Sequence, residues 1–114
     1  MQSPESIVQA QLEAYNRQDV DAFLATFHPD VEFIRWPSKV ELCGHAAFRQ
    51  AYGALWARSP ELNARILNRI AMGRFVLDVE ELLGHADGPR APVLVIYEIE
   101  GTVIRRFWLV DEAT

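Results

Sequence analysis

The chain of 114 residues has one cysteine, three histidines, and eleven basic residues against sixteen acidic ones. Each scarcity removes a class of function. Cys43 has no intramolecular disulfide partner, and neither a metal site nor a redox motif can be built around it. Its expected role is that of a small buried apolar residue at a strand end. His28, His45 and His85 are dispersed, with no two at ligand spacing on one element, so no metal is expected. The basic residues form no run and the formal net charge is −5, which argues against nucleic acid and anionic membranes as partners. GxSxG, Walker-type glycine loops and GxGxxG after a strand are all missing, and no cofactor is expected. "MQSPESIVQAQLEAYNRQD" lacks the basic start and unbroken apolar core of a secretory signal, and no later apolar run is long enough to span a bilayer. A cytoplasmic protein is the expectation.

What is there is ordinary globular composition, half hydrophobic and about a quarter charged, at a length that suits one domain over residues 1–114. Ser3 as cap, Pro4 at the first helical position and Glu5 in the first turn mark a helix start. Ile7, Val8, Leu12 and Tyr15 then share one face. Asp19 or its neighbour caps a second helix, "VDAFLATFH", with an apolar stripe of Phe23, Leu24 and Phe27 and an end at Pro29. At its end, His28 would favour the helix dipole. "VEFIRW" and "KVELCG" read as a strand pair broken by Pro37 and Ser38. "HAAFRQAYGALWARSP" is a third helix, with Phe48, Tyr52, Leu55 and Trp56 at helical spacing and first read as core. Four extended runs follow, separated by turn material at Gly73, Gly84 to Pro92, and Gly101.

Alternation along those runs divides each into two rows. One set, including Ile66, Asn68 and Ile70, then Phe75, Leu77, Val79 and Glu81, then Val95, Tyr97 and Ile99, then Arg105, Phe107 and Leu109, is nearly apolar and is expected to face the helices. The other, including Arg65, Leu67 and Arg69, then Asp78 and Glu80, then Ile96 and Glu98, then Arg106 and Trp108, mixes charges with large apolar groups. An exposed patch of that kind predicts a homodimer through the outer face, with Asp78 and Glu80 in ion pairs there.

The element order, the segment "AYNRQDVDAFLATFHPDVEF" and the closing "IYEIEGTVIRRFW" resemble the nuclear-transport-factor-2-like superfamily, and within it the SnoaL-like and ketosteroid-isomerase-like branch. The resemblance covers essentially the whole chain. It implies an α+β, cystatin-like curved-sheet cone, or α+β barrel: three helices packed on a strongly bent, mostly antiparallel six-stranded sheet, with a pocket between the layers and a dimer through the sheet's outer face. Members include isomerases, dehydratases, cyclases, hydrolases and non-catalytic docking modules, so the fold does not select a reaction. In the isomerases a carboxylate shuttles a proton while a tyrosine and a protonated acid stabilise the enolate oxygen. Counted from the turn at Asp19 to Asp21, the base position falls at Arg35, or at Trp36 with one gap. The tyrosine position falls at Gln11, one turn from Tyr15, and the acid position falls near Val95 or Tyr97. The base is therefore missing.

Arg35 shares the row of Val31 and Phe33 and needs a partner, either water at the sheet end, a carboxylate such as Glu81, or an anionic ligand. Trp36 is a rim aromatic or a stacking platform. Tyr97 places a phenol among aliphatic groups, bonded either to Asn68 across the sheet or, together with Asn68, to a ligand carbonyl. Tyr15, Tyr52, Trp56 and Phe107 complete the expected ligand-binding set, and Glu81 and Asp30 are the acids expected near the inner face. The expected ligand is an apolar or aromatic small molecule, with isomerase- or dehydratase-like proton transfer as the implied chemistry. The rival reading is a non-catalytic dimerisation or protein-docking module with a closed interior.

Overall fold

The computed structural model describes residues 2–114. Three helices and six strands follow in the order α1 (Pro4–Arg17), α2 (Val20–Ala25), β1 (Phe27–Arg35), β2 (Lys39–Cys43), α3 (Gly44–Arg58), β3 (Asn63–Met72), β4 (Phe75–Leu83), β5 (Val93–Glu100) and β6 (Val103–Val110). Local chemistry sets the helix starts. The Ser3 side chain accepts a bond from the Ser6 N–H and Asp19 accepts one from Ala22, so each satisfies a donor that the first turn leaves free. Gly44 opens α3 at φ +83, a left-handed conformation that suits a residue without Cβ. The second helix is shorter than expected: it stops at Ala25, and Phe27 already begins β1. His28 therefore lies in a strand, where its Nδ1 accepts the Asp30 N–H at 2.9 Å, and it caps nothing helical.

The strands form one sheet in the order β2-β1-β6-β5-β4-β3. Every pairing is antiparallel except β1 with β6. This is an α+β, cystatin-like arrangement whose sheet does not close, since β2 and β3 remain edges. The helices cover one face and close over a core of Val8, Phe23, Phe27, Val31, Phe48 and Ile104. Phe23 sits at its centre, with ring centroids 4.8 Å from Tyr52, 4.9 Å from Phe27 and 5.5 Å from Trp56. Asn16 fastens α1 to the β3 edge in both directions, donating to the Ala64 carbonyl at 3.0 Å and accepting its N–H at 2.7 Å. No helix among the described residues is long and apolar enough to cross a membrane.

The row assignment needs correction on three strands. On β4 the inward residues are Val76, Asp78 and Glu80, all buried, while Glu81 lies on the outer face and pairs with Arg65. The nearly apolar row of β4 is the outer, half-buried one. On β3 the expected parity holds as far as Ile66, opposite Glu80, and then a bulge turns the strand over. Asn68 stands opposite Val79 on the outer face, and Arg69 stands opposite Asp78 on the inner one. A second irregularity, beside Glu98 and Ile99, buries Ile104 instead of Val103 or Arg105. Cys43, expected to be buried, is exposed at the end of β2, an edge strand with only one neighbour.

Candidate functional site

Between the helices and the concave sheet lies a cavity of about 180 Å³. Its wall is mostly apolar: Leu12 from α1, Leu55 from α3, Phe33 from β1, and Val95, Phe107 and Leu109 from the central strands. Against this the polar groups are few. Gln11 and Tyr15 project from α1, Tyr52 from α3, Glu80 from β4 and Tyr97 from β5. They face one another because Gln11 and Tyr15 are one helical turn apart, and because β4 and β5 are adjacent strands whose inward rows point at that turn.

Glu80 is the chemical centre of the group. It is 8% exposed, and its Oε2 accepts a 2.8 Å hydrogen bond from the Tyr97 hydroxyl. Burial penalises the charged form and pushes the carboxyl up to about 7; the Tyr97 bond and Arg69 pull the other way, while Asp78 adds to the rise. A carboxyl raised in this way can both take and return a proton near neutral pH, which is what general acid–base chemistry requires. The phenols of Tyr15, Tyr52 and Tyr97 are all raised, in each case first by burial, so they are neutral hydrogen-bond donors. No lining group of the cavity is a cation.

Behind Glu80 lies an ion pair with a buried carboxylate and a half-buried guanidinium. Asp78, 1% exposed, receives two bonds from Arg69, Nε to Oδ1 at 2.7 Å and Nη2 to Oδ2 at 2.9 Å. The third arm of Arg69 reaches Gln9 Oε1 on α1 at 2.9 Å.

The expected site residues separate into three groups. Tyr15, Tyr52, Tyr97 and Phe107 line the cavity. Trp56 is one layer back, packed edge-on against Tyr15 at 5.7 Å, and belongs to the core. Arg35, Trp36 and Asn68 are elsewhere. Arg35 is on the inner row at the sheet end, where Nη1 donates to Asp111 at 2.6 Å and Nε to Glu41 at 3.2 Å. Bonding to Asp111 first, then to Glu41, raises its pKa further. Its partners are thus Asp111 and Glu41, not Glu81. Trp36 is 45% exposed beyond β1, and Asn68 is on the outer face, so Asn68 is not the partner of Tyr97. Asp30 is exposed and Glu81 faces outward. Asp78 and Glu80 are inside, not at the outer surface. Gln11 and Glu80 lie outside the ligand-binding set expected from the sequence. The available signal was the spacing of Asp78 and Glu80, two acids on one strand row, which only a correct choice of face turns into a site.

A bent sheet backed by three helices around an apolar cavity with a polar end defines the nuclear-transport-factor-2-like, cystatin-like class. The chain belongs to the SnoaL-like domain family, whose model matches residues 8–107. No curated protein matches it. Among solved structures, an uncharacterised cystatin-fold protein from Novosphingobium aromaticivorans is 26% identical, over 97% of this chain and 100% of that one, with a TM-score of 0.87. A candidate polyketide cyclase from Sinorhizobium meliloti is 22% identical, over 96% and 99%, with a TM-score of 0.79. TerC, co-crystallised with polyporic acid, is 18% identical, over 97% and 93%, with a TM-score of 0.74. The last two speak to the fold alone.

Proposed function

We propose that this protein binds a neutral, apolar or aromatic molecule of single-ring size and moves a proton on it, with Glu80 as the acid–base group. The observation that carries the reading is Glu80 itself: a buried carboxyl, bonded to the Tyr97 hydroxyl, facing a mostly apolar cavity with its proton affinity raised by burial. Perturbed carboxyls in clefts are the usual mark of a catalytic site. Volume limits the ligand, since a cavity of ~150 Å³ accepts benzene and drug-sized ligands need roughly 300 Å³ or more. Charge limits it too, because a carboxylate ligand would meet Glu80 with no lining cation to offset it.

In the reaction so implied, the Glu80 carboxylate takes a proton from a carbon beside a carbonyl. The electron pair moves to the carbonyl oxygen, which a tyrosine hydroxyl of the cavity stabilises by donation. Glu80, now protonated, returns the proton to another carbon, giving an isomer, or to a departing hydroxyl, releasing water. The carboxylate thus comes from β4, and not from the Arg35 or Trp36 position where the ketosteroid-isomerase resemblance places it. Support from relatives is limited to names: a candidate polyketide cyclase and a protein co-crystallised with polyporic acid share the fold. The test is hydrogen–deuterium exchange at the acidic carbon of single-ring ketones, catalysed by the wild-type protein and lost in Glu80→Gln.

The outer sheet face supports a homodimer as the working form. Ile70 and Met72 are exposed, and Leu77, Ile96 and Trp108 are partly so, in a patch crossing four strands. The charges within the patch, Arg106 with Glu98 and Glu32, are paired, so its burial would strand no free charge.

A further inference from the structure

The proton-transfer reading of Glu80 leaves one buried feature without a task. Asp78 is among the most deeply buried side chains of the protein, and Arg69 is the cation that matches it. The bulge in β3 brings them together. Ile66 faces Glu80, so a regular strand would place Asn68 opposite Asp78; the extra residue moves Arg69 into that place instead. Bulges commonly re-aim a side chain in this way beside active sites.

Resting on that reading, we propose that Asp78 and Arg69 act as a positioning pair whose opposed charges, held fixed against each other, keep Glu80 at the proton affinity that its burial and its Tyr97 bond establish. The surroundings of Glu80 leave few other candidates. From β5 comes the neutral Tyr97, from α1 the neutral Gln11 and Tyr15, from α3 the neutral Tyr52, from β6 the apolar Phe107, and from β3 the apolar Ile66. The full charges near it are Asp78, on its own strand row, and Arg69. Asp78 alone would hold a proton on Glu80 well above neutral pH, and the carboxyl would cease to act as a base. Arg69 alone would keep it ionised, and it would cease to act as an acid. The pair balances the two, and the Gln9 carbonyl from α1 fixes the guanidinium in place at 2.9 Å. The bidentate geometry lets neither partner turn towards Glu80 and form a direct salt bridge with it.

The experiment is a carboxyl titration of Glu80 by carbon NMR, on protein labelled at glutamate, in wild type, Asp78→Asn, Arg69→Met and the double variant. Asp78→Asn keeps an acceptor for Arg69 and should lower the proton affinity of Glu80 about tenfold; Arg69→Met should raise it by a similar factor. The double variant should return near wild type. Gln9→Glu, at the far side of Arg69, gives a variant with the buried pair intact, and it should shift the midpoint upward by roughly twofold in proton affinity. A wild-type midpoint in the single variants that fold, Gln9→Glu among them, would reduce the pair to a structural clamp and overturn the proposal. The two readings fail separately. Midpoints that move while Glu80→Gln still exchanges substrate deuterium would sink the proton-transfer reading alone, and exchange that needs Glu80 with unmoved midpoints would sink the positioning pair alone.

Discussion

Replacing Glu80 by glutamine removes an ionisable group while keeping its shape and an oxygen to accept the Tyr97 hydroxyl, so its effect on stability isolates the charge. The folded carboxyl titrates at about 7 against 4.5 for the ordinary group. Below pH 4.5 both folded and unfolded chains carry the proton and the side chain contributes no pH dependence. Between 4.5 and about 7 the unfolded chain has lost a proton that the folded chain retains, so wild-type stability falls as pH rises. Above 7 the whole cost is present. At 1.36 kcal/mol for each pH unit between the two values, it is about 3 kcal/mol. Glu80→Gln escapes that cost. It should match wild type near pH 4.5 and exceed it by about 3 kcal/mol at pH 8.5, which for a chain of this size is a Tm higher by about 10 °C. Thermal and urea unfolding of both proteins at the two pH values measures this. A gap that is the same at both pH values, or a variant less stable than wild type at pH 8.5, would refute the claim that Glu80 is buried at the cost of its charge.

Two further outcomes follow from packing. Sedimentation equilibrium at micromolar concentration should give a dimer for wild type and a monomer for Ile96→Glu, which sets a charge in the middle of the outer apolar patch; a monomeric wild type would remove the dimer. Gly84→Ala should destabilise the fold by at least 1–2 kcal/mol, read by urea unfolding, because Gly84 is held at φ +78 and an added Cβ would overlap the Glu61 carbonyl. An unchanged urea midpoint would show that this turn relaxes.

Much of the fold was legible because it is written in local chemistry. Ser3, Pro4 and Asp19 announce helix starts, the helical spacing of Phe48, Tyr52 and Trp56 announces α3, and Gly73 and Gly101 announce the hairpin turns. The site was legible only in part. Tyr15, Tyr52, Tyr97 and Phe107 sit on elements whose inward rows were correctly chosen, and all four line the cavity. Two physical features hide the rest, one governing Glu80 and the other Asn68 and Arg69. Polarity points to the apolar row of Phe75, Leu77 and Val79 as the inward face of β4, but this sheet has an apolar patch on its outside and that row is the outer one. On β3 a single bulge reverses the alternation after Ile66, carrying Asn68 out and Arg69 in, and no residue type marks its position. Arg35 was placed on the correct row, but its partners Glu41 and Asp111 come from β2 and from the residue after β6, which the alternation of one strand cannot reveal.

The measurement that bears most directly on the account is deuterium uptake from D₂O at the acidic carbon of single-ring ketones, followed by NMR across pH 5 to 9. With Glu80 as base, uptake should rise with pH through an inflection near 7 and then level off, and Glu80→Gln should reduce it by roughly 10²-fold or more, the usual contribution of a positioned acid–base group. Uptake no faster than in protein-free buffer across this class of ketones, or uptake that survives the loss of Glu80, would contradict the assignment.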